Sequence, residues 1–331
     1  MRPCLYLVLS LLLATAMPPA AAAQAGLTVY AAGDIANCGT SPAADTQAAA
    51  TARMIPEGAP VLMLGDAAYA RSDTETLARC YEPTWGRFKA QTYAAAGNHD
   101  YVDGSPRDFL AYFGSRNQGK TWFRAELGGW WVIALDSNLK GQPAEKQQQA
   151  WLAKQLAAIA GDGRCVMALW HHPLYSTGLH RGDGEQMKIA WRALDAAGAD
   201  VVLNGHEHFY ESFDPRDAQG RTHSVGIREF VVGTGGANLN DMSLSVQHRV
   251  LAREYGVLEL ELEPDRYHWR FRTVDGDVRD AGVADCRRSA QSMKRTARPT
   301  RSATASTSVA PPGDRLSTAK EPPPAGTITP R

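Results

Sequence analysis

The sequence predicts a layered α/β domain, with β-sheets in the middle and helices on the outside. Three features lead to this prediction. Apolar runs too short for helices recur along the chain, segments with the helical period lie between them, and turn residues separate the last runs. The early apolar runs, which we predict to be buried strands, are 27–33, 61–65, 92–97, 130–135, 165–170 and 201–205.

The predicted helices and the later strands complete this layered arrangement. The segments with the helical period are 46–54, 145–159 and 186–197. The later strands are 227–232, 256–262 and 267–273. Turn residues such as Glu263-Pro264-Asp265 separate the last two strands, which are therefore expected to be antiparallel. We expect one domain without internal repeats.

The two ends of the chain differ in composition from this region. Arg2, an apolar run over residues 5–16 and a small-residue site at Ala21-Ala22-Ala23 predict a secretory signal peptide over residues 1–23. The apolar run is too short to span a bilayer, so we expect an exported protein, periplasmic or extracellular, without a stable membrane anchor. Residues 287–331 are rich in Ser, Thr, Pro, Ala and Arg and predict a disordered tail. The folded domain is then 26–286.

Charge and cysteine content limit the possible functions further. The chain has 331 residues with 35 Lys+Arg and 35 Asp+Glu, and this balance does not favour nucleic acid as a partner. Without Cys4, four cysteines remain, which suits disulfides in an oxidising compartment. Sequence proximity favours Cys38 with Cys80 and Cys165 with Cys286. A cysteine metal site is the weaker alternative, because no Cys-x-x-Cys spacing occurs.

Polar side chains follow five of the predicted strands at the point where each strand ends. A single Gly-Asp after a strand is usually a turn or a helix cap, but five such ends in succession are hard to produce by independent accidents. Ligands gather outside the carboxyl ends of strands in α/β sheets, so these side chains should converge on one crevice. They are Asp34, Asp66, Asn98 with His99, His171, and His206 with His208.

The chemistry of this set points to metal ions. Carboxylate, amide, imidazole and phenolate groups suit iron, zinc or manganese. Asp66 is central in the series and could bridge two ions, and two ions about 3.5 Å apart can clamp the attacking and leaving oxygens of an in-line displacement. The residues therefore predict a two-metal hydrolytic site.

The blocks that carry these residues resemble the five ordered blocks of the calcineurin-like metallophosphoesterases. They are Gly33-Asp34, Gly65-Asp66-Ala67-Ala68-Tyr69, Gly97-Asn98-His99-Asp100, His171-His172-Pro173 and Gly205-His206-Glu207-His208. Tyr69, three residues after Asp66, is similar to the tyrosine of the purple acid phosphatase branch, and the chain resembles its compact, single-domain bacterial-type members. The resemblance implies a sandwich of two central mixed β-sheets flanked by helices. Ala36 departs from it, because the family usually has glycine there.

The resemblance also implies a role for each site residue. Asp34, Asp66, Tyr69 and His208 would hold Fe(III), and Asp66, Asn98, His171 and His206 would hold divalent iron, zinc or manganese. His99 and His180 would be the catalytic histidines that face the substrate. For His180, which lies nine positions after His171, a solvated loop residue is an alternative. His172 would be a wall residue.

The implied activity is hydrolysis of small phosphate monoesters by direct attack of a metal-bound hydroxide, as in an acid phosphatase. Two alternatives stay open. One is a phosphodiesterase acting on nucleotides or phospholipid headgroups, because the metal blocks hardly separate monoesters from diesters. The other is a non-catalytic metal-binding surface protein. Such a protein should have lost ligands, whereas all seven expected ligands are present. The oligomeric state is not determined by the sequence.

Overall fold

A computed structural model describes residues 26–117, 119–241 and 249–287. The predicted signal peptide, and the predicted tail from residue 288 onward, lie outside the described residues. The strands, in chain order, are β1 (Leu27–Ala32), β2 (Val61–Leu64), β3 (Thr92–Ala95), β4 (Phe123–Leu127), β5 (Trp130–Ala134), β6 (Val166–Leu169), β7 (Val201–Asn204), β8 (Tyr210–Ser212), β9 (Arg228–Val232), β10 (Val250–Ala252), β11 (Gly256–Leu262), β12 (Arg266–Thr273) and β13 (Val278–Asp285). The α-helices are α1 (Gln47–Arg53), α2 (Thr74–Thr76), α3 (Arg107–Phe113), α4 (Pro143–Ala158) and α5 (Lys188–Ala197).

The strands form two mixed sheets. The first has the order β13-β12-β11-β1-β2-β3, in which β1, β2 and β3 are parallel and the rest antiparallel. The second has the order β10-β8-β9-β7-β6-β5-β4. Its central strands β5, β6, β7 and β9 are parallel, and β4, β8 and β10 pair antiparallel at the edges. This arrangement confirms the predicted sandwich of two mixed sheets flanked by helices.

Two apolar clusters hold the layers together. The larger lies between the sheets, where Tyr210 of the second sheet stacks on Phe271 of the first with ring centroids 4.0 Å apart. The smaller lies between the second sheet and helices α4 and α5, and contains the fully buried Trp191. Because both faces of the second sheet are covered, β5 and β6 near its centre consist of apolar residues throughout.

Both predicted disulfide pairings are confirmed. Cys38 bonds to Cys80 with Cα atoms 5.7 Å apart, and Cys165 bonds to Cys286 with Cα atoms 5.6 Å apart. The second bond joins the two sheets, because Cys165 precedes β6 and Cys286 follows β13. With all four sulfur atoms in disulfides, these cysteines do not form a metal site.

Candidate metal centre

The carboxyl ends of β1, β2 and β3 in one sheet, and of β6 and β7 in the other, meet at one end of the sandwich. The first group of side chains surrounds the Tyr69 hydroxyl. Tyr69 Oη lies 2.7 Å from Asp34 Oδ1, 2.9 Å from Asp66 Oδ2 and 2.9 Å from His208 Nε2. These four residues are the set that the resemblance assigns to the first ion.

A second group surrounds the ring of His171. His171 Nε2 lies 3.3 Å from Asp66 Oδ2 and 3.2 Å from Asn98 Oδ1. The His206 ring lies beside it, with ring centroids 5.0 Å apart. The structure thus brings together all seven residues that the sequence singles out as ligands.

One atom, Asp66 Oδ2, belongs to both groups. It faces Tyr69 Oη on one side and His171 Nε2 on the other. The second oxygen, Asp66 Oδ1, accepts the backbone N–H of His99 at 2.8 Å, which fixes the orientation of the carboxylate. This geometry suits a carboxylate that bridges two cations.

The backbone at the strand ends is specialised for this convergence. Asp34, Asp66 and His206 have φ values of 58°, 54° and 72°, in the left-handed region that non-glycine residues rarely adopt. Gly65 has a φ of 95°, and a Cβ there would lie 2.3 Å from His171 Nδ1. Ala36 is not among the residues with positive φ, so alanine is accommodated where the family usually has glycine.

Backbone carbonyls fix two of the imidazole rings. His171 Nδ1 donates to the Leu64 carbonyl at 2.8 Å, and His208 Nδ1 donates to the Asn238 carbonyl at 2.7 Å. In the neutral imidazole, each bond leaves the lone pair on Nε2, the nitrogen that faces the cluster. Both rings therefore direct Nε2 at the cluster.

Asp100 holds the turn that carries Asp66. Its Oδ2 accepts the backbone N–H groups of Asp66 at 2.9 Å and Gly97 at 2.8 Å, and its Oδ1 accepts that of Ala67 at 3.1 Å. Burial, together with the nearby charge of Asp66, raises the pKa of Asp100 to about 6. Asp100 lies in the Gly97-Asn98-His99-Asp100 motif, but no role for it could be predicted from the sequence, because its partners are backbone groups.

The charges in the cluster favour binding of cations. Burial would raise the pKa of Asp34, but the neighbouring His208 and His171 act in the opposite direction and the pKa is lowered. Burial and the charges of Asp34 and Asp66 raise the pKa of Tyr69 well above its ordinary value. The phenol therefore keeps its proton until a cation takes the place of that proton. Hard and borderline donors aimed at two adjacent points fit two metal ions.

The two histidines predicted to face the substrate lie at the rim of this cluster. His99 donates from Nδ1 to the Ala70 carbonyl at 2.5 Å, and its ring lies 4.5 Å from the Tyr69 ring. The ring of His180 lies 5.0 Å from that of His206, and its side chain is 49% exposed. Both side chains are partly open to solvent.

His172 forms part of the wall. Its ring lies 4.3 Å from the ring of His206, and its Nδ1 is 2.7 Å from Ser137 Oγ. Burial, followed by the nearby charges of His171 and His206, lowers the pKa of His172 to about 2. This imidazole is therefore neutral.

Asp183 is a site residue that the sequence did not indicate. Its Oδ2 lies 3.1 Å from His206 Nε2 and 3.8 Å from His180 Nδ1. A carboxylate on Nε2 fixes the tautomer of His206 with Nδ1 free to bind a metal. Its position in a glycine-rich loop gave no pattern that would mark it as functional.

Replacing Asp183 with asparagine is expected to weaken binding of the more labile metal ion roughly 10- to 100-fold, because the carboxylate that contacts His206 Nε2 and fixes its tautomer is lost. Competition with a chelator, read as bound metal per chain, measures this change. Asp195→Asn serves as a control, since Asp195 lies on α5 and pairs with Arg287. Equal metal affinity of Asp183→Asn and the unmodified protein would contradict the role of Asp183.

The chain is similar in sequence and in fold to known proteins. The family model described as calcineurin-like phosphoesterase matches residues 27–210, more than half of the chain. Purple acid phosphatase 15 of Arabidopsis thaliana is 27% identical over 224 residues, which cover 57% of this chain and 41% of that protein. The chain thus spans less than half the length of this curated relative.

Solved structures share the fold. Purple acid phosphatase PPD1 from yellow lupin (Lupinus luteus) seeds matches with a TM-score of 0.57 and 18% identity, covering 78% of this chain and 53% of that one. GAP50, the anchor in the inner membrane complex of Plasmodium, matches with a TM-score of 0.61 and 14% identity, covering 83% and 95%. At these identities the likeness shows the fold alone.

Proposed function

This chain belongs to the calcineurin-like phosphoesterase family, and we propose that it is an exported two-metal phosphoesterase that hydrolyses phosphate monoesters. Family membership implies a dimetal centre. The observation that carries the proposal is the position of Asp66 Oδ2 between two groups of donors, 2.9 Å from Tyr69 Oη and 3.3 Å from His171 Nε2.

We assign the ligands by these two groups. The first ion, Fe(III), would be held by Asp34, Asp66, Tyr69 and His208. The second, divalent iron, zinc or manganese, would be held by Asp66, Asn98, His171 and His206. Two ions bound there would supply Lewis acidity to the phosphoryl oxygens and lower the pKa of a coordinated water.

The remaining chemistry falls to the rim histidines. His99 and His180 border the open side of the centre, where the substrate phosphate and its leaving oxygen would lie. An imidazolium at this position can donate a proton to the departing alkoxide, a contribution of about 10²- to 10⁴-fold in typical enzymes. The bond from His99 Nδ1 to the Ala70 carbonyl leaves Nε2 on the side of the centre, 3.9 Å from Asp66 Oδ2, which supports this role.

Export is supported by two features. Both disulfides suit an oxidising compartment, and the start of the sequence has the pattern of a signal peptide. None of the helices in the described part of the chain has the length and apolarity that crossing a membrane requires.

The visible absorption of the oxidised protein tests the proposed Fe(III) site. We expect a purple band that is lost in Tyr69→Phe, because a tyrosinate bound to Fe(III) would be the chromophore. Tyr93→Phe is the matched control, since Tyr93 stacks on Phe123 away from the centre. A colourless, iron-free protein, or a band that survives Tyr69→Phe, would contradict the assignment.

Turnover on the same sample separates the proposed activity from its alternatives. We expect p-nitrophenyl phosphate to be hydrolysed faster than bis-p-nitrophenyl phosphate. The reverse order would move the protein to the diesterase class. Two bound metals without turnover of either ester would indicate a non-catalytic metal-binding protein.

A further inference from the structure

The loop over residues 173–183 carries His180 and lies between β6 and α5. It forms no strand or α-helix, so its backbone N–H groups need partners outside regular secondary structure. Several of these partners are carboxyl groups of buried glutamates on, or next to, strands of the second sheet. Burying these carboxyl groups costs free energy, because each loses its hydration.

Three glutamates bind the loop at successive points along its length. Glu229 Oε1 accepts the backbone N–H of Leu174 at 3.1 Å. Glu211 Oε2 accepts that of Thr177 at 3.1 Å, and Glu207 Oε1 accepts that of His180 itself at 2.8 Å. In addition, the N–H of Tyr175 donates to Glu229, and the hydroxyl of Ser176 donates to Glu211.

These glutamates lie in the protein interior. Glu207, Glu211 and Glu229 each have 0% relative exposure. The loop lies directly against Glu207, because a Cβ added at Gly178 would be 2.0 Å from its carboxyl carbon. Burial raises the pKa of Glu229 to about 8, and its two backbone hydrogen bonds and the Arg216 charge offset part of that effect.

The three glutamates come from three successive segments of the chain. Glu207 lies between His206 and His208 after β7, Glu211 lies on β8, and Glu229 lies on β9. The segment after β7, which carries two of the proposed metal ligands, therefore also contacts the loop. That loop places the ring centroid of His180 5.0 Å from that of His206. A shift of about 1 Å in a catalytic group can cost roughly 100-fold in rate.

We propose that Glu207, Glu211 and Glu229 are positioning residues that hold the 174–180 loop so that His180 faces the metal centre. The inference rests on the proposed function for its kinetic consequence but not for its structural one. Glu211 is the best point of attack, because it is the middle support and is not adjacent in sequence to a proposed ligand.

A double-mutant cycle between Glu211 and His180 tests the kinetic consequence. Glu211→Met removes the acceptor at similar volume and is expected to lower kcat for a phosphate monoester roughly 10- to 100-fold. Glu211→Gln retains an oxygen acceptor and is expected to stay within about threefold of the unmodified enzyme, as a rescue. In a His180→Ala background, Glu211→Met should cause little further loss, because it acts through His180.

The cycle has a matched control and a clear contrary result. Glu259→Gln replaces a buried glutamate of β11 that pairs with Arg272 and lies outside the loop contacts. Unchanged kcat is expected for it. If Glu211→Met lowers kcat by the same factor with and without His180, the effects are additive and the proposal is overturned.

Hydrogen exchange tests the structural consequence without any need for activity. The amides of residues 174–180 should exchange at least tenfold faster in Glu211→Met, with both metals still bound. If Glu211→Met does not fold, Ser176→Ala removes one contact to the same carboxylate and should accelerate exchange in the same segment. Unchanged exchange would overturn the proposal. Faster exchange in a protein that hydrolyses no phosphate ester would overturn only the proposed function.

Discussion

Replacing Asp66 with asparagine is expected to lower phosphate-ester turnover by roughly 10³-fold or more. The same change should reduce bound metal below two ions per chain. The reason lies in the geometry of Asp66 Oδ2, which faces both groups of donors while Oδ1 is occupied by the N–H of His99. Asparagine has one acceptor oxygen and no charge, so it cannot replace a bridging carboxylate. Elemental analysis after dialysis and p-nitrophenyl phosphate turnover measure both effects.

The appropriate control changes an aspartate with a similar backbone but no contact with the cluster. Asp103 has a φ of 53°, its side chain is 84% exposed, and asparagine adopts this backbone conformation readily. Asp103→Asn should keep both metals and nearly full turnover. Full metal content in Asp66→Asn, with turnover within tenfold of the control, would show that Asp66 is not a bridge.

The strands that build the centre could be predicted because they are buried on both faces. β1, β2 and β7 are short apolar runs followed by a glycine, and β6 is a short apolar run followed by Trp170 and His171. The missed strands lack such a pattern. β13 carries Val278 and Val283 on exposed positions and forms by pairing with β12. β8 and β10 have three residues each, too few for any periodicity.

The donors of the centre followed from the sequence for a related reason. Six of the seven lie at or shortly after a strand end, so their positions alone predict that they converge, whereas the role of Tyr69 followed only from the family resemblance. The residues that hold those donors did not follow, because Asp100 and Asp183 act through contacts between distant segments. Glu229 does carry a sign in the sequence, because a carboxyl group within a fully buried strand needs a buried partner.

Removing the bond between Cys165 and Cys286, as Cys165→Ala with Cys286→Ala, is expected to lower the free energy of unfolding by up to about 5 kcal/mol. The two residues are 121 positions apart, so the bond restricts a long loop in the unfolded chain. Cys165 lies immediately before β6, and His171 lies just after the opposite end of that strand. Metal content should therefore stay at two ions. Unfolding in guanidinium chloride, with elemental analysis beforehand, measures both quantities.

The bond between Cys38 and Cys80 provides a matched comparison with a different expected outcome. Its separation of 42 residues gives a smaller stabilisation, about 4 kcal/mol. However, Cys38 lies four residues after Asp34, in the segment that leaves β1 for the centre. Cys38→Ala with Cys80→Ala should therefore weaken metal binding as well as stability. If both double variants lose metal equally, then the second disulfide also shapes the centre, through the packing of one sheet on the other.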